Sequence, residues 1–150
     1  MSLQLRKFLI NSGTNWFLKK KSYSRYEQFL TVLAEMNCRL TVVNQRDLLG
    51  RFYCSFIGFP IVNCTHYIQD IYVADCCHSK AKEYDGITFN LMSKTGHRRM
   101  IILCVATIPA EDSNHLFWVL QLCVKHGVCF KIKPLFSDQG PLIAAAKMLS

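Results

Sequence analysis

The sequence predicts an α/β fold: a mixed sheet built from a three-strand meander, a helix, a parallel fourth strand and a closing helix, with an N-terminal α+β lead-in. Three observations point there. Three β-rich runs, 68–75, 87–92 and 100–108, are separated by turn signals, as in a meander. A stretch with helical apolar spacing, 114–126, is followed by a further strand-like run, 128–136, so a right-handed crossover can lay the fourth strand parallel to the first. The first and last of these runs lead into an aspartate, Asp75 and Asp138, and the strand-end rim of an open α/β sheet is where ligands and metals bind.

The elements follow in order. Residues 1–21 hold Arg6, Lys7 and Lys19-Lys20-Lys21 with Trp16 and Phe17 between them. They read either as a basic arm that touches phosphates or as a solvated leader, and the second reading is preferred. Residues 22–67 form the lead-in. Ser22 to Met36 is a helix: Ser24-Arg-Tyr-Glu27 fits a capping box, and Tyr26, Phe29, Leu30, Leu33 and Ala34 give one apolar face before Asn37 stops it. Leu40 to Val43 and Arg51 to Phe56 are β-rich, with Asp47 to Gly50 as the hairpin loop. Residues 68–150 form the core. Within it, Met100 to Ile108 is apolar enough for burial on both faces, and Pro109 ends it. Asp112 or Ser113 caps the helix over 114–126, whose core face is Leu116, Val119, Leu120, Cys123 and Val124, and Gly127 closes it. Pro141 suits the first turn of a last helix.

At 150 residues the chain is one domain, or one domain with an appended arm, and 51% hydrophobic residues supply a core and argue against disorder. A net charge of +8 permits a polyanionic partner, nucleic acid above all, and is equally that of a plain basic protein. None of the eight cysteines forms Cys-x-x-Cys, and no signal-peptide run opens the chain, so most thiols read as small core hydrophobes in a reducing compartment. The longest apolar run, Met100 to Ala110, is too short for a membrane span, and no membrane partner is expected.

Two ionised carboxylates brought side by side repel, and a divalent cation between them removes the conflict. Mg²⁺ favours such hard oxygen ligands, and a pair of ions clamps the attacking and leaving oxygens of a phosphodiester. Two carboxylates are a thin set for two ions, so a third acidic group is normally needed. The plainer alternative is that strand-end aspartates are turn or cap residues.

Four stretches of the chain resemble the transposases of Mutator-like elements. Val73-Ala-Asp75-Cys-Cys-His78-Ser-Lys80-Ala-Lys-Glu-Tyr84-Asp-Gly86 is similar to the family's first-aspartate motif. Leu103-Cys-Val-Ala106 with Pro109-Ala-Glu111-Asp112 is similar to its third strand and acidic turn, and His115-Leu-Phe-Trp118-Val-Leu120 to its tryptophan helix. Phe136-Ser-Asp138-Gln-Gly140-Pro-Leu-Ile-Ala144-Ala145 is similar to its second-aspartate motif. The resemblance covers about residues 22–149. It implies a ribonuclease-H-like fold, a nuclear location, DNA as partner, and DNA cleavage and strand transfer with Mg²⁺ or Mn²⁺ held by Asp75 and Asp138. The family's third carboxylate, fifth strand and Cys/His zinc segment have no counterpart here. The expectation is therefore a C-terminally truncated core that does not cut or join DNA alone, the alternative being a domesticated DNA- or protein-binding module without catalysis.

The remaining candidates are weaker. His78 falls near the metal rim as an orienting or DNA-facing group. Lys80, Lys82, Arg98 and Arg99 flank the presumed rim and turn, where they contact phosphates or simply face solvent. Cys76-Cys77-His78 is a poor zinc chelator because adjacent cysteines rarely share one tetrahedral ion; zinc is not expected, and one cysteine should pack inward and the other outward. Trp118 reads as an anchor between helix and sheet.

Overall fold

The structure, a computed structural model, describes residues 22–63, 67–78, 86–138 and 140–149. The basic arm at 1–21 lies outside them. Helix α1, Ser22–Met36, has the expected span, but Glu27 is not part of a capping box. Its two carboxylate oxygens accept hydrogen bonds from Arg46 Nε and Nη2, 3.0 Å each, a bidentate pair that ties the helix to the first hairpin. The Tyr26 hydroxyl lies 3.2 Å from Ser55 Oγ and 3.4 Å from Thr107 Oγ1, and its ring meets Phe52 edge-on at 5.6 Å. These contacts lay α1 on one face of the sheet.

Strands β1, Thr41–Arg46, and β2, Phe52–Gly58, form the hairpin read from the sequence. Asp47 makes its turn: its Oδ1 accepts the N–H groups of Leu49 and Arg51 at 2.9 and 2.8 Å, while Gly50 takes φ 72°, a value glycine adopts without strain. Strands β3, Tyr72–His78, β4, Ile87–Lys94, and β5, Met100–Ile108, are the antiparallel meander. With the short β6, Leu135–Phe136, they complete one six-stranded sheet in the order β1-β2-β5-β4-β3-β6. Among the described residues, only the β3–β6 pair is parallel. The lead-in hairpin joins the same sheet because β2 pairs with β5.

Helix α2, Ser113–Lys125, starts at Asp112, whose carboxylate accepts the N–H groups of Asn114 and His115; it buries Leu116, Val119, Leu120 and Cys123. Gly127, at φ 107°, ends it, and the Val128 N–H returns to the Cys123 carbonyl at 3.0 Å. Helix α3, Gly140–Lys147, buries Leu142 and Ala145 beside α2. Both helices cover the face of the sheet that carries Ala74, Phe89, Leu91, Cys104, Ala106 and Phe56, the centre of the core. His126 closes this layer: its Nε2–H donates to the Phe59 carbonyl at 2.8 Å, leaving Nδ1 to accept from the Thr41 hydroxyl at 2.8 Å.

Three further expectations need correction. β3 does not stop at Asp75 but runs on to His78, because β4 supplies cross-strand partners as far as Ile87. β5 is not buried on both faces throughout: Met100 and Ile102, in the stretch that β2 does not pair, remain 45% and 46% exposed. The run 128–134 is not a strand. Its alternation is inverted at the end: Ile132 is 75% exposed, whereas Lys133 is 7% exposed, with its ammonium 3.2 Å from Asp70 and 5.8 Å above the Tyr72 ring. An ion pair and a cation–π contact thus outweigh the apolar pattern, and Pro134, without an N–H, delays pairing to Leu135. Among the described cysteines, Cys54, Cys104 and Cys123 are buried and Cys76 packs against the core, whereas Cys38, Cys77 and Cys129 are exposed.

Candidate metal centre

Side chains alternate between the two faces of a strand. In β3, Tyr72 and Ala74 are buried under the helices, which turns Asp75 to the opposite face, where it is exposed and paired in register with Asn90. β6 lies parallel to β3 with Tyr72 opposite Leu135 and Val73 opposite Phe136. Asp75 is two residues beyond Val73, and Asp138 is two residues beyond Phe136, where the paired register ends. Leu135 packs against the core, whereas Phe136 is 55% exposed, so β6 keeps the same in–out alternation as β3.

The local sequence explains this arrangement. Tyr72 and Leu135 point inward and anchor the two strands, and the Tyr72 N–H donates to the Pro134 carbonyl at 2.9 Å, locking the register at its start. The Ser93 hydroxyl, fully buried, donates to the Ile71 carbonyl at 2.7 Å and fixes the entry to β3. β6 ends after two residues while β3 continues, so Asp75 lies within a strand rather than at the expected strand end, and Asp138 lies just past the end of β6.

The other candidates do not all gather there. His78 is the last residue of β3, exposed and opposite Ile87. Lys80 and Lys82 lie outside the described residues. Arg98 and Arg99 are exposed in the turn after β4, with the Arg98 N–H on the Thr95 carbonyl at 2.8 Å. That turn is at the opposite end of the sheet from His78, since β4 carries the chain back across its full length, roughly 25 Å at the usual strand rise. His78 and the arginine pair therefore belong to different surfaces. Cys76 packs against the core, and Cys77 is exposed with its Sγ 3.6 Å from the Thr88 carbonyl oxygen, so the adjacent thiols diverge as read from the sequence. Trp118 is partly buried against the core.

Two hard oxygen donors suit Mg²⁺ or Mn²⁺. Among the described residues, no group of three or more histidine, cysteine or acidic side chains is placed to hold a metal ion. Among the described residues, too, no helix is long and apolar enough to cross a membrane.

A second cluster was not read from the sequence. Tyr53, His115 and Asp112 form one hydrogen-bonded chain. The Asp-x-x-His spacing at the start of α2 is visible locally, but nothing in the sequence brings Tyr53 to it. Comparison with protein-family models, with curated proteins and with solved structures finds no match to this chain.

Proposed function

We propose that this sheet is a ribonuclease-H-like core related to the transposases of Mutator-like elements, with Asp75 and Asp138 sharing a divalent cation against which a DNA backbone is held. The parallel pairing of β3 with β6, which ends two residues before each aspartate, carries this reading. The meander, the crossover through α2 and the parallel return support it, as does the net charge of +8, which favours a polyanion. When bound, the ion neutralises the facing carboxylates and supplies Lewis acidity toward a phosphodiester. The chain's own part is to carry Asp75 within β3 and Asp138 just past β6, with His78 at the end of β3. DNA cleavage and strand transfer in the nucleus is the family reaction. A two-carboxylate set is thin for two ions, and loss of the cutting step with cation and DNA binding kept is part of this proposal.

The test combines Mn²⁺ calorimetry with duplex-DNA binding over a salt series. The expected result is that Asp75→Asn/Asp138→Asn abolishes Mn²⁺ binding and the cation-dependent part of DNA binding. The thin ligand set also favours a second reading, a DNA-binding module that has lost the reaction. Intact, salt-sensitive DNA affinity in the double variant selects that reading. Unchanged Mn²⁺ binding in the double variant overturns the shared-cation site.

A further inference from the structure

At the end of the sheet where β5 finishes and β2 begins, the Tyr53 hydroxyl lies 2.6 Å from His115 Nε2, and His115 Nδ1 lies 2.6 Å from Asp112 Oδ2. The Asp112 carboxylate is itself fixed, because its other oxygen accepts the N–H groups of Asn114 and His115 at 3.0 Å each. With Asp112 ionised, Nδ1 carries the proton and donates to it. That leaves Nε2 unprotonated, able to accept from the phenol. The imidazole is largely shielded, at 21% side-chain exposure, while Tyr53 reaches the surface at 37%. This is the order of parts that activates a hydroxyl: a reachable O–H, a base in hydrogen-bond contact, and a carboxylate that fixes the tautomer and orientation of the base.

We propose that Tyr53, His115 and Asp112 form a second chemical site, distinct from the aspartate pair, in which Tyr53 is a nucleophile toward neutral activated carboxylic esters. As the Tyr53 Oη–carbonyl bond forms, the phenolic proton passes to His115 Nε2. Asp112 balances the imidazolium charge, the ester C–O bond breaks, and the leaving group departs as an anion, giving an acyl-tyrosine. A neutral electrophile fits better than a phosphate. The arginines of the same hairpin, Arg46 and Arg51, are already paired with Glu27 and Asp47 at 3.0 and 2.7 Å.

The experiment treats the whole chain with p-nitrophenyl acetate and maps acetylation by mass spectrometry of acid-quenched protein, so that reaction at exposed thiols is read separately. The expected result is acetylation of Tyr53 at least tenfold faster than at any of the other five tyrosines. Tyr53→Phe removes that adduct. His115→Gln lowers its rate at least tenfold, and Asp112→Asn, which keeps an oxygen for the helix cap, lowers it by a smaller factor. Circular dichroism confirms that each variant is folded. Acetylation spread over the tyrosines in proportion to exposure, or a Tyr53 rate unmoved by His115→Gln in a folded variant, overturns the proposal.

Discussion

The two faces of β3 are made for different purposes. Toward the helices, Tyr72 and Ala74 enter a layer with Phe89, Leu91, Leu120 and Leu142, all 3% exposed or less. On the other face, Val73 and Asp75 pair with Met92 and Asn90, and Asp75 is exposed. One seven-residue strand thus buries alternate side chains in the core and turns Asp75 outward. Substitutions on the helix-covered face should cost stability, and the substitution of Asp75 should cost ion binding alone.

The largest effect is expected from Phe89→Ala, which empties a fully buried position at the centre of that layer. It should lower unfolding free energy by about 3–5 kcal/mol, read by denaturant titration. Next comes Gly58→Ala. A Cβ there would lie 2.6 Å from the His126 ring, which is held at both nitrogens by Thr41 and Phe59 and cannot swing away without losing both bonds. A loss of about 1–3 kcal/mol is expected. His126→Ala in the same chain should remove part of the clash, so the double variant should be more stable than the sum of the two losses predicts.

Asp112→Ala removes the cap of α2 and should cost about 0.5–2 kcal/mol at neutral pH. Partial burial alone would raise this carboxyl, but hydrogen bonds from the His115 N–H and ring and from the Asn114 N–H outweigh it and hold it below the ordinary carboxylate range. A carboxyl depressed in the folded state contributes stability above its unfolded value, near about 3.9, and loses it as pH falls through the folded value. The gap between wild type and Asp112→Ala should therefore close in acid, as followed by thermal melts across pH. The smallest stability effect is expected from Asp75→Asn, within about 0.5 kcal/mol, because the side chain is exposed and makes no core contact. A destabilisation as large as that of Phe89→Ala would erase the distinction between the faces.

Much of this arrangement is legible in the sequence, and the exceptions have physical causes. Helix periodicity fixes α1, and periodicity with the Asp112 cap fixes α2, to within a residue, and the Asp47 to Gly50 turn marks the hairpin, because these signals are local. The offset between Asp75 and Asp138 foreshadows the β3–β6 register, since both strands place an inward-facing residue three positions before the aspartate. Residues 128–134 mislead because Lys133 finds Asp70 and Tyr72, partners more than sixty positions away that no local pattern displays. Arg98 and Arg99 look close to the first aspartate motif in sequence, but β4 carries them to the far end of the sheet. The Tyr53–His115–Asp112 chain was hidden for the same reason: it closes only when β2 reaches the start of α2.

The central claim is that Asp75 and Asp138 meet over one ion. Iron-directed cleavage tests it most directly: Fe²⁺ replaces Mg²⁺, ascorbate and peroxide are added, and backbone cuts are mapped along the chain. The account predicts cuts near both Asp75 and Asp138, suppressed together by excess Mg²⁺ and lost together in Asp75→Asn. Cuts beside one aspartate only, or cuts at both that respond separately to these treatments, would contradict it.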